Sequence, residues 1–336
     1  MESAVDTTVL GWSTVRGRVK IRAALPAFLP LEEIERRISP ILPDVDVVTD
    51  PLGAGRYPVD EVDVLILTTF HELTPEMVSR MKSLKFVQVA STGYDRVSLA
   101  ACRDRGIIVS NIPVANSKTV AEHVLMMTLA LLRDLRGLDG DLRKGEWPML
   151  TGANDLAGKV FGIAGMGRIG RELAARLIPF EVATIYTDPV PLSPEEERRL
   201  GVMKTDWRDL FVHSDVLSLH LPLTPQTRGI VGATELGLMK DQAILINTAR
   251  AELVDPVALR KALEDGKIRA GIDVYPTEPP DFSDPIFRAP GTVFTPHMAG
   301  TTFEAQQRFL QETVKNVLRY VQGNEPLYRV DRPPAT

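Results

Sequence analysis

Cysteine is almost missing from this chain, where Cys102 stands alone among 336 residues. No intramolecular disulfide and no cysteine metal cluster can be assembled, which suits a reducing compartment. A surplus of positive charge is missing too: 39 Lys and Arg face 44 Asp and Glu, for a net charge of −5. Composition therefore gives no electrostatic support to a nucleic-acid or anionic-membrane surface. No apolar run approaches the roughly 20 residues that cross a bilayer. The N-terminus, MESAVDTTVLGW, lacks a basic segment followed by an apolar core. The expectation is a soluble, cytoplasmic protein with a small-molecule partner.

What the chain does contain is ample core material, 44% hydrophobic residues over a length sufficient for two domains. Short β-rich runs at Val19 to Ala23, Val45 to Val48, Val62 to Leu67, Lys85 to Ala90 and Ile107 to Val109 alternate with helical spacing at Leu31 to Ile38 and Pro75 to Met81. Such alternation predicts parallel βαβ units, with Met77 and Met81 in the core. A long apolar helix is expected from Ser117, a candidate cap, to about Arg143; it either crosses between domains or lies in a subunit interface. Its His123 reads as a packed or partly exposed helix residue and not as a catalyst.

After a turn-rich segment the alternation restarts. Strands are expected at Lys159 to Ala164, Val182 to Thr187, Asp215 to His220, Ala243 to Asn247, Arg269 to Val274 and Thr292 to Thr295, and an amphipathic helix at Glu304 to Gln322.

The first strand of this second array runs into AGMGRIGRELAARL, where Gly165, Gly167 and Gly170 form G-x-G-x-x-G ahead of a helix. The first glycine permits a tight turn, the second lets backbone amides approach a pyrophosphate, and the third lets helix and strand pack closely. The helix N-terminus adds unsatisfied N–H groups and a favourable dipole. Ile169 belongs to the same loop, and Arg168 either contacts a phosphate or is a solvated helix residue. The next strand ends in Asp188, about 20 residues beyond the glycines as dinucleotide binding requires. A carboxylate there accepts both ribose hydroxyls and repels a 2′-phosphate, favouring NAD over NADP. The plainer alternative is that Asp188 starts an Asp-Pro turn.

Further strand ends carry Arg250, Asp273 with Glu278, and His297. In an open parallel sheet, ligands bind beyond the carboxyl ends of the strands. An arginine there can grip a substrate carboxylate bidentately and polarise the adjoining carbonyl. A histidine can give a proton to the developing alkoxide, and a carboxylate beside it favours the charged ring and fixes its orientation. Together the three suit hydride transfer at a 2-keto acid.

The segments AGMGRIG, LSLHLPLTPQTRGIV, LINTARAELVD, GIDVYPTEP and TPHMAGTT, in that order, resemble the D-isomer-specific 2-hydroxyacid dehydrogenase family. VASTGYDRVSLAACRDRGIIVSNIP and NSKTVAEHVLMMTLALLR resemble its N-terminal and interdomain segments, so the likeness covers nearly the whole chain. It implies an α/β fold of two Rossmann-like domains, parallel sheets flanked by helices. A discontinuous flavodoxin-like catalytic domain (1–115 and 303–336) would enclose an NAD-binding domain (116–302). It implies an NAD-dependent enzyme interconverting a D-2-hydroxy acid and its 2-keto acid, usually a homodimer, with Arg250, Glu278 and His297 catalytic. It further implies Thr92, Gly93 and Asn116 at the substrate carboxylate, His220, Pro222 and Thr227 on the adenosine side, and Thr248, Ala249, Asp273 and Gly300 around the nicotinamide. For His220 a backbone-only role is an equal reading, while His71 and His213 match no catalytic motif.

Departures from the family pattern bear on loop conformation and on the substrate. Ala251 follows the arginine where the family usually has glycine, and Arg96 stands where it often has a neutral amide. LTTFHELT lacks the arginines of phosphoglycerate-using relatives. AGTTFEAQQR resembles the end of the formate dehydrogenase motif, yet those relatives carry a Gln-Pro pair where Glu278-Pro279 stands here. Formate or phosphite oxidation is the alternative enzyme reading, and a non-catalytic NAD-sensing co-regulator the alternative of another class.

Overall fold

The computed structural model describes residues 20–23, 46–49, 62–69, 71–149 and 152–332. The helix expected at Leu31 to Ile38 lies outside them. The chain divides into two compact units, Met1–Ala115 with Gln306–Thr336, and Asn116–Ala305.

In the first unit, β1 (Lys20–Ala23), β2 (Asp46–Thr49), β3 (Val64–Leu67), β4 (Phe86–Val89) and β5 (Ile108–Ser110) form one sheet in the order β2-β1-β3-β4-β5, every pairing parallel. This is the flavodoxin-like order. β3 and β4 are buried along their whole lengths, as parallel strands covered on both faces must be. Helix α1 (Pro75–Arg80) starts where the Thr74 hydroxyl accepts the Met77 N–H at 3.2 Å and Pro75 occupies the first turn. Val78 of α1, Met81, and Cys102 of α2 (Leu99–Asp104) cover Leu65, Leu67, Val87 and Val89.

The second unit holds β6 (Val160–Ala164), β7 (Ala183–Thr187), β8 (Val202–Lys204), β9 (Val216–Leu219), β10 (Ala243–Asn247), β11 (Ile268–Ile272) and β12 (Thr292–Phe294). Their order is β12-β11-β10-β9-β6-β7-β8, again all parallel. Chain order reverses between β6 and β9, the switch point where doubly wound sheets take ligands. Alternation along each strand feeds two cores. Ile244 and Ile246 pack with α3 (Ser117–Leu132) and α5 (Arg168–Leu177), whereas Leu245 packs opposite with α7 (Trp207–His213), α8 (Ala233–Leu238) and α9 (Pro256–Glu264).

Two expectations are corrected. The long helix is interrupted: α3 ends at Leu132 and α4 (Leu135–Arg143) begins after Asp134, whose φ of 46° is left-handed. Asp tolerates that region, and here its carboxylate lies where a side chain at Gly137 would have to go, 2.4 Å from the position of a Cβ. Ser117 is the first helical residue, and Asn116 takes the cap position instead. The edge strand β8 was not expected. It is paired to β7, with helix α6 (Pro194–Leu200) preceding it behind a Ser193 capping box.

The last helix, α10 (Phe303–Val321), is anchored in the first unit by Val317 and Leu318 and by Tyr320, whose ring lies 4.7 Å from that of Phe86. No helix among the described residues is long and apolar enough to cross a membrane.

Candidate active site

In the second unit the functional candidates gather where its strands end. Asn247, Ile272 and Phe294 are in register across β10, β11 and β12, so the residues that follow them emerge at one edge. From β10 come Thr248, Ala249 and Arg250, shaped by Asn247, the last residue of the strand, which carries no motif signal of its own. Asn247 accepts the Ala249 N–H on its side-chain oxygen at 3.1 Å and donates from its amide to the Arg250 carbonyl at 2.8 Å. The Arg250 guanidinium donates to the Ala249 carbonyl at 2.6 Å. Ala251 opens a 3-10 turn and is not among the residues of positive φ, so this loop does not call on glycine's freedom there.

From β11 and β12 come the carboxylates and the histidine. His297 Nδ1 lies 2.9 and 2.8 Å from the two oxygens of Glu278, one of which also accepts the Tyr275 N–H at 3.2 Å. Both side chains keep some exposure, 25% for His297 and 18% for Glu278, so the ring is held without being sealed. A ring bonded at Nδ1 to a carboxylate carries its transferable proton at Nε2. Burial and the nearby Asp273 and Glu278 carboxylates push the Tyr275 phenol up to about 12. It therefore stays protonated and donates to the Thr295 carbonyl at 2.9 Å.

His297 sits at φ 54°, a left-handed conformation costing a non-glycine residue roughly 1–2 kcal/mol. Asp273 sustains it. This residue is fully buried; its backbone carbonyl accepts the His297 N–H at 2.8 Å, while its carboxylate accepts the Met298 N–H at 2.8 Å, the Ala299 N–H at 2.9 Å and the Thr295 hydroxyl at 2.5 Å. Three consecutive amides thus form a nest around one residue. Gly300 follows, packed so that a Cβ would lie 2.6 Å from the Asn116 amide nitrogen.

At the β6 end, Gly165 has φ 99°, and a Cβ there would meet the His220 carbonyl at 2.7 Å. A Cβ on Gly170 would lie 2.3 Å from the Gly165 carbonyl oxygen. A Cβ on Gly167 would meet nothing within 4 Å, leaving its backbone open to a ligand. Arg168 is exposed at the start of α5, beside the half-buried Ile169. Asp188, at the end of β7, accepts the Met166 N–H at 2.7 Å and the Val190 N–H at 2.8 Å. It therefore shapes its own turn while its remaining lone pairs can accept hydroxyls. The His220 ring lies 3.0 Å from the Ser218 hydroxyl, and burial lowers its pKa to about 4. Thr227 folds its loop by donating to the Pro222 carbonyl at 2.6 Å.

These features fit a dinucleotide: an open cradle at Gly167, walls that only glycine allows, an acid beyond the next strand, and a Thr248 hydroxyl buried without a hydrogen-bond partner at the mouth of β10. No cluster of His, Cys, Asp and Glu suited to a metal ion occurs among the described residues.

In the first unit, Thr92 and Gly93 lie in the loop after β4. The Thr92 hydroxyl donates to the Ile112 carbonyl at 3.0 Å, and the Ser91 hydroxyl to the Gly93 carbonyl at 3.0 Å. His71, beyond β3, lies 3.1 Å from the Thr68 hydroxyl, and burial lowers its pKa.

Two further residues bear on the His297 loop. Thr295 carries no signal beyond its place before Pro296. His123, a half-buried residue of α3 as expected, has its Nε2 3.0 Å from the Thr295 hydroxyl.

The family described as D-isomer specific 2-hydroxyacid dehydrogenase, NAD binding domain, matches residues 125–299. A glyoxylate reductase of Thermococcus litoralis is 34% identical over 290 residues, covering 84% of this chain and 87% of that one. The chain also spans about half the length of the D-3-phosphoglycerate dehydrogenases it matches. Among solved structures, the D-lactate dehydrogenase of Aquifex aeolicus complexed with NAD and lactic acid superposes with a TM-score of 0.84 at 28% identity, covering 94% of this chain and 99% of the other. A Granulicella formate dehydrogenase gives 0.86 at 25% identity, with 95% and 100% covered. With a matching glycine cradle, strand order and NAD-binding domain, this chain belongs to the D-isomer specific 2-hydroxyacid dehydrogenase family of NAD-dependent oxidoreductases.

Proposed function

We propose that the protein interconverts a D-2-hydroxy acid and its 2-keto acid, with the second unit holding NAD and the first receiving the substrate. NADH, when bound, supplies the hydride. In this reading Arg250 grips the substrate carboxylate and polarises its carbonyl. His297 gives the Nε2 proton to the oxygen that becomes the hydroxyl, and the neutral ring takes it back in the reverse direction. Glu278 keeps the ring oriented and balances the imidazolium. Thr92 and Gly93, with Asn116, receive the carboxylate. Gly165, Gly167, Arg168, Ile169, Gly170 and Asp188 hold the pyrophosphate and adenosine ribose. His220, Pro222 and Thr227 line the adenosine side, and Thr248, Ala249, Asp273 and Gly300 the nicotinamide.

The observation that carries this reading is the Glu278 carboxylate on His297 Nδ1 at 2.8 Å. Formate oxidation moves a hydride and no proton through a side chain, so an oriented acid/base ring would have no task there. Formate or phosphite oxidation is the second reading, which draws its support from the likeness to the Granulicella formate dehydrogenase and from Gly300-Thr301-Thr302. The exposed apolar side chains of Leu135, Leu142, Trp147 and Met149 support a homodimer.

One experiment separates these readings: NADH consumption with glyoxylate, hydroxypyruvate, pyruvate and larger 2-keto acids, beside NAD reduction with formate and phosphite. Turnover on a 2-keto acid is expected, falling on the order of 10²–10⁴-fold in His297→Ala with NADH binding kept. Turnover on formate or phosphite alone would transfer the protein to the second reading, and NADH binding without any turnover to a sensor. A monomeric mass in solution would remove the dimer.

A further inference from the structure

We propose that His123 is a positioning residue for His297, acting through the Thr295 hydroxyl on the loop that presents the acid/base ring. The inference rests on the acid/base reading of His297. Thr295 lies two residues ahead of it, on the short stretch between β12 and the left-handed turn.

The hydrogen-bond inventory sets the direction of each contact. A threonine hydroxyl has a single proton, and that of Thr295 goes to the Asp273 carboxylate at 2.5 Å. The approach of His123 Nε2 to the same oxygen at 3.0 Å therefore makes the ring nitrogen the donor. That nitrogen is also 3.8 Å from the Asp273 carboxylate. His123 thus closes a line of contacts, His123 to Thr295 to Asp273, whose far end gathers the amides of Met298 and Ala299. A fully buried carboxylate needs such donors, since an unsatisfied one is costly in a low-dielectric interior.

The origin of the brace matters as much as its end. His123 stands on α3, whose neighbouring Val124 and Met127 are buried in the core against β6 and β10. The catalytic loop is thereby tied to a helix as well as to its own sheet. A left-handed residue persists only where its surroundings over-determine it, and His297 is such a residue. Burial lowers the pKa of His123 while Asp273 opposes the shift. At neutral pH the ring is an uncharged N–H donor, which suits a structural bond and not proton exchange with substrate. His123 touches none of the proposed reacting groups, and its effect passes through Thr295.

The test is steady-state reduction of the 2-keto acid that the substrate panel selects, with His123→Leu, His123→Gln, His123→Asn and Thr295→Val. His123→Leu should lower kcat about three- to tenfold, the worth of one hydrogen bond, with KM and the NADH dissociation constant near their original values. His123→Gln carries an amide nitrogen to the Nε2 position and should recover most of the rate. His123→Asn is too short and should not. The double variant His123→Leu with Thr295→Val should be no slower than Thr295→Val alone, as members of one contact line behave.

Full kcat in His123→Leu would overturn the proposal. So would equal losses in the Gln and Asn variants that track a lowered melting temperature, the mark of a packing role. If the Leu variant does not fold, the contrast between Gln and Asn decides alone. Retained turnover in His297→Ala would remove the acid/base reading beneath the proposal, whereas an inactive His297→Ala beside an unaffected His123→Leu would remove only the brace.

Discussion

Each unit buries a polar hub, and the two hubs differ in charge. In the first unit the hub is neutral: the Asn316 amide donates to the Gln88 side-chain oxygen at 2.6 Å and to the Leu327 carbonyl at 3.1 Å, and accepts the Leu327 N–H at 2.6 Å. In the second it is the carboxylate of Asp273, completing the turn that carries His297. The neutral hub lies among secondary-structure elements and ties α10 to β4 and the chain beyond. The charged hub lies at a strand end beside ionisable partners. A neutral amide costs little to bury once its bonds are made, so it serves as an internal clasp. A buried carboxylate is tolerable only when surrounded by donors, and that demand forces the backbone around it into a shape it would not otherwise take. One unit uses buried polarity to hold its fold, the other to hold an unusual loop.

Substitutions at the neutral hub should divide stability from cofactor binding. Asn316→Leu orphans Gln88 and Leu327, at about 1–3 kcal/mol for each buried group left unpaired. We expect a clear drop in unfolding free energy in denaturant with NADH affinity unchanged. An NADH affinity that falls in step with stability would break the contrast. Smaller in stability but aimed at the cofactor is Gly170→Ala. The new Cβ would stand 2.3 Å from the Gly165 carbonyl oxygen, so the first turn of α5 must retreat at a cost of roughly 1–3 kcal/mol, as for overpacking elsewhere. Fluorescence titration should show weaker NADH binding. An unchanged dissociation constant would mean that the cradle does not depend on this close approach.

Much of this arrangement was legible because the candidate site residues lie at strand ends in a fixed chain order. Gly165, Gly167 and Gly170 sit between a β-rich and a helical run, and Arg250, Glu278 and His297 each follow apolar strands. β10 was legible to the residue, since five buried apolar or amide positions are bounded by polar ones. β8 was not, because three edge residues, two of them exposed, carry no alternation to read. The break before α4 depends on the Asp134 carboxylate folding over Gly137 three residues on, a local turn whose Asp and Gly letters are poor helix formers but sit in the shadow of the long apolar run before them. The brace behind His297 was invisible for a different reason. Its ends, His123 and Thr295, are 172 residues apart and brought together only by the sheet. Asn247 was hidden by reading as the last polar letter of a strand, although its side chain shapes the Arg250 loop through both of its ends.

The smallest expected effect separates the units by pH. The His220 ring, beside the Ser218 hydroxyl and held to about 4 by burial, binds fewer protons folded than unfolded between that value and its ordinary 6.5. Stability from this residue is therefore fully present above pH 6.5 and lost progressively as the pH falls towards about 4. Between pH 7.5 and 5 the loss should be about 1 kcal/mol, allowing for the ring's partial exposure. His220→Asn keeps a polar side chain without the titration and should flatten that part of the stability curve. His71 in the first unit is shifted in the same direction, also by burial, so it sets the internal comparison. His71→Asn should flatten the acid limb of the first unit and leave that of the second. Urea unfolding at pH 7.5 and 5, followed by NADH fluorescence for the second unit and by total circular dichroism for both, reads the two apart. An acid limb that survives unchanged in His220→Asn would assign the pH sensitivity to the carboxylates and take from His220 its part in the difference between the units.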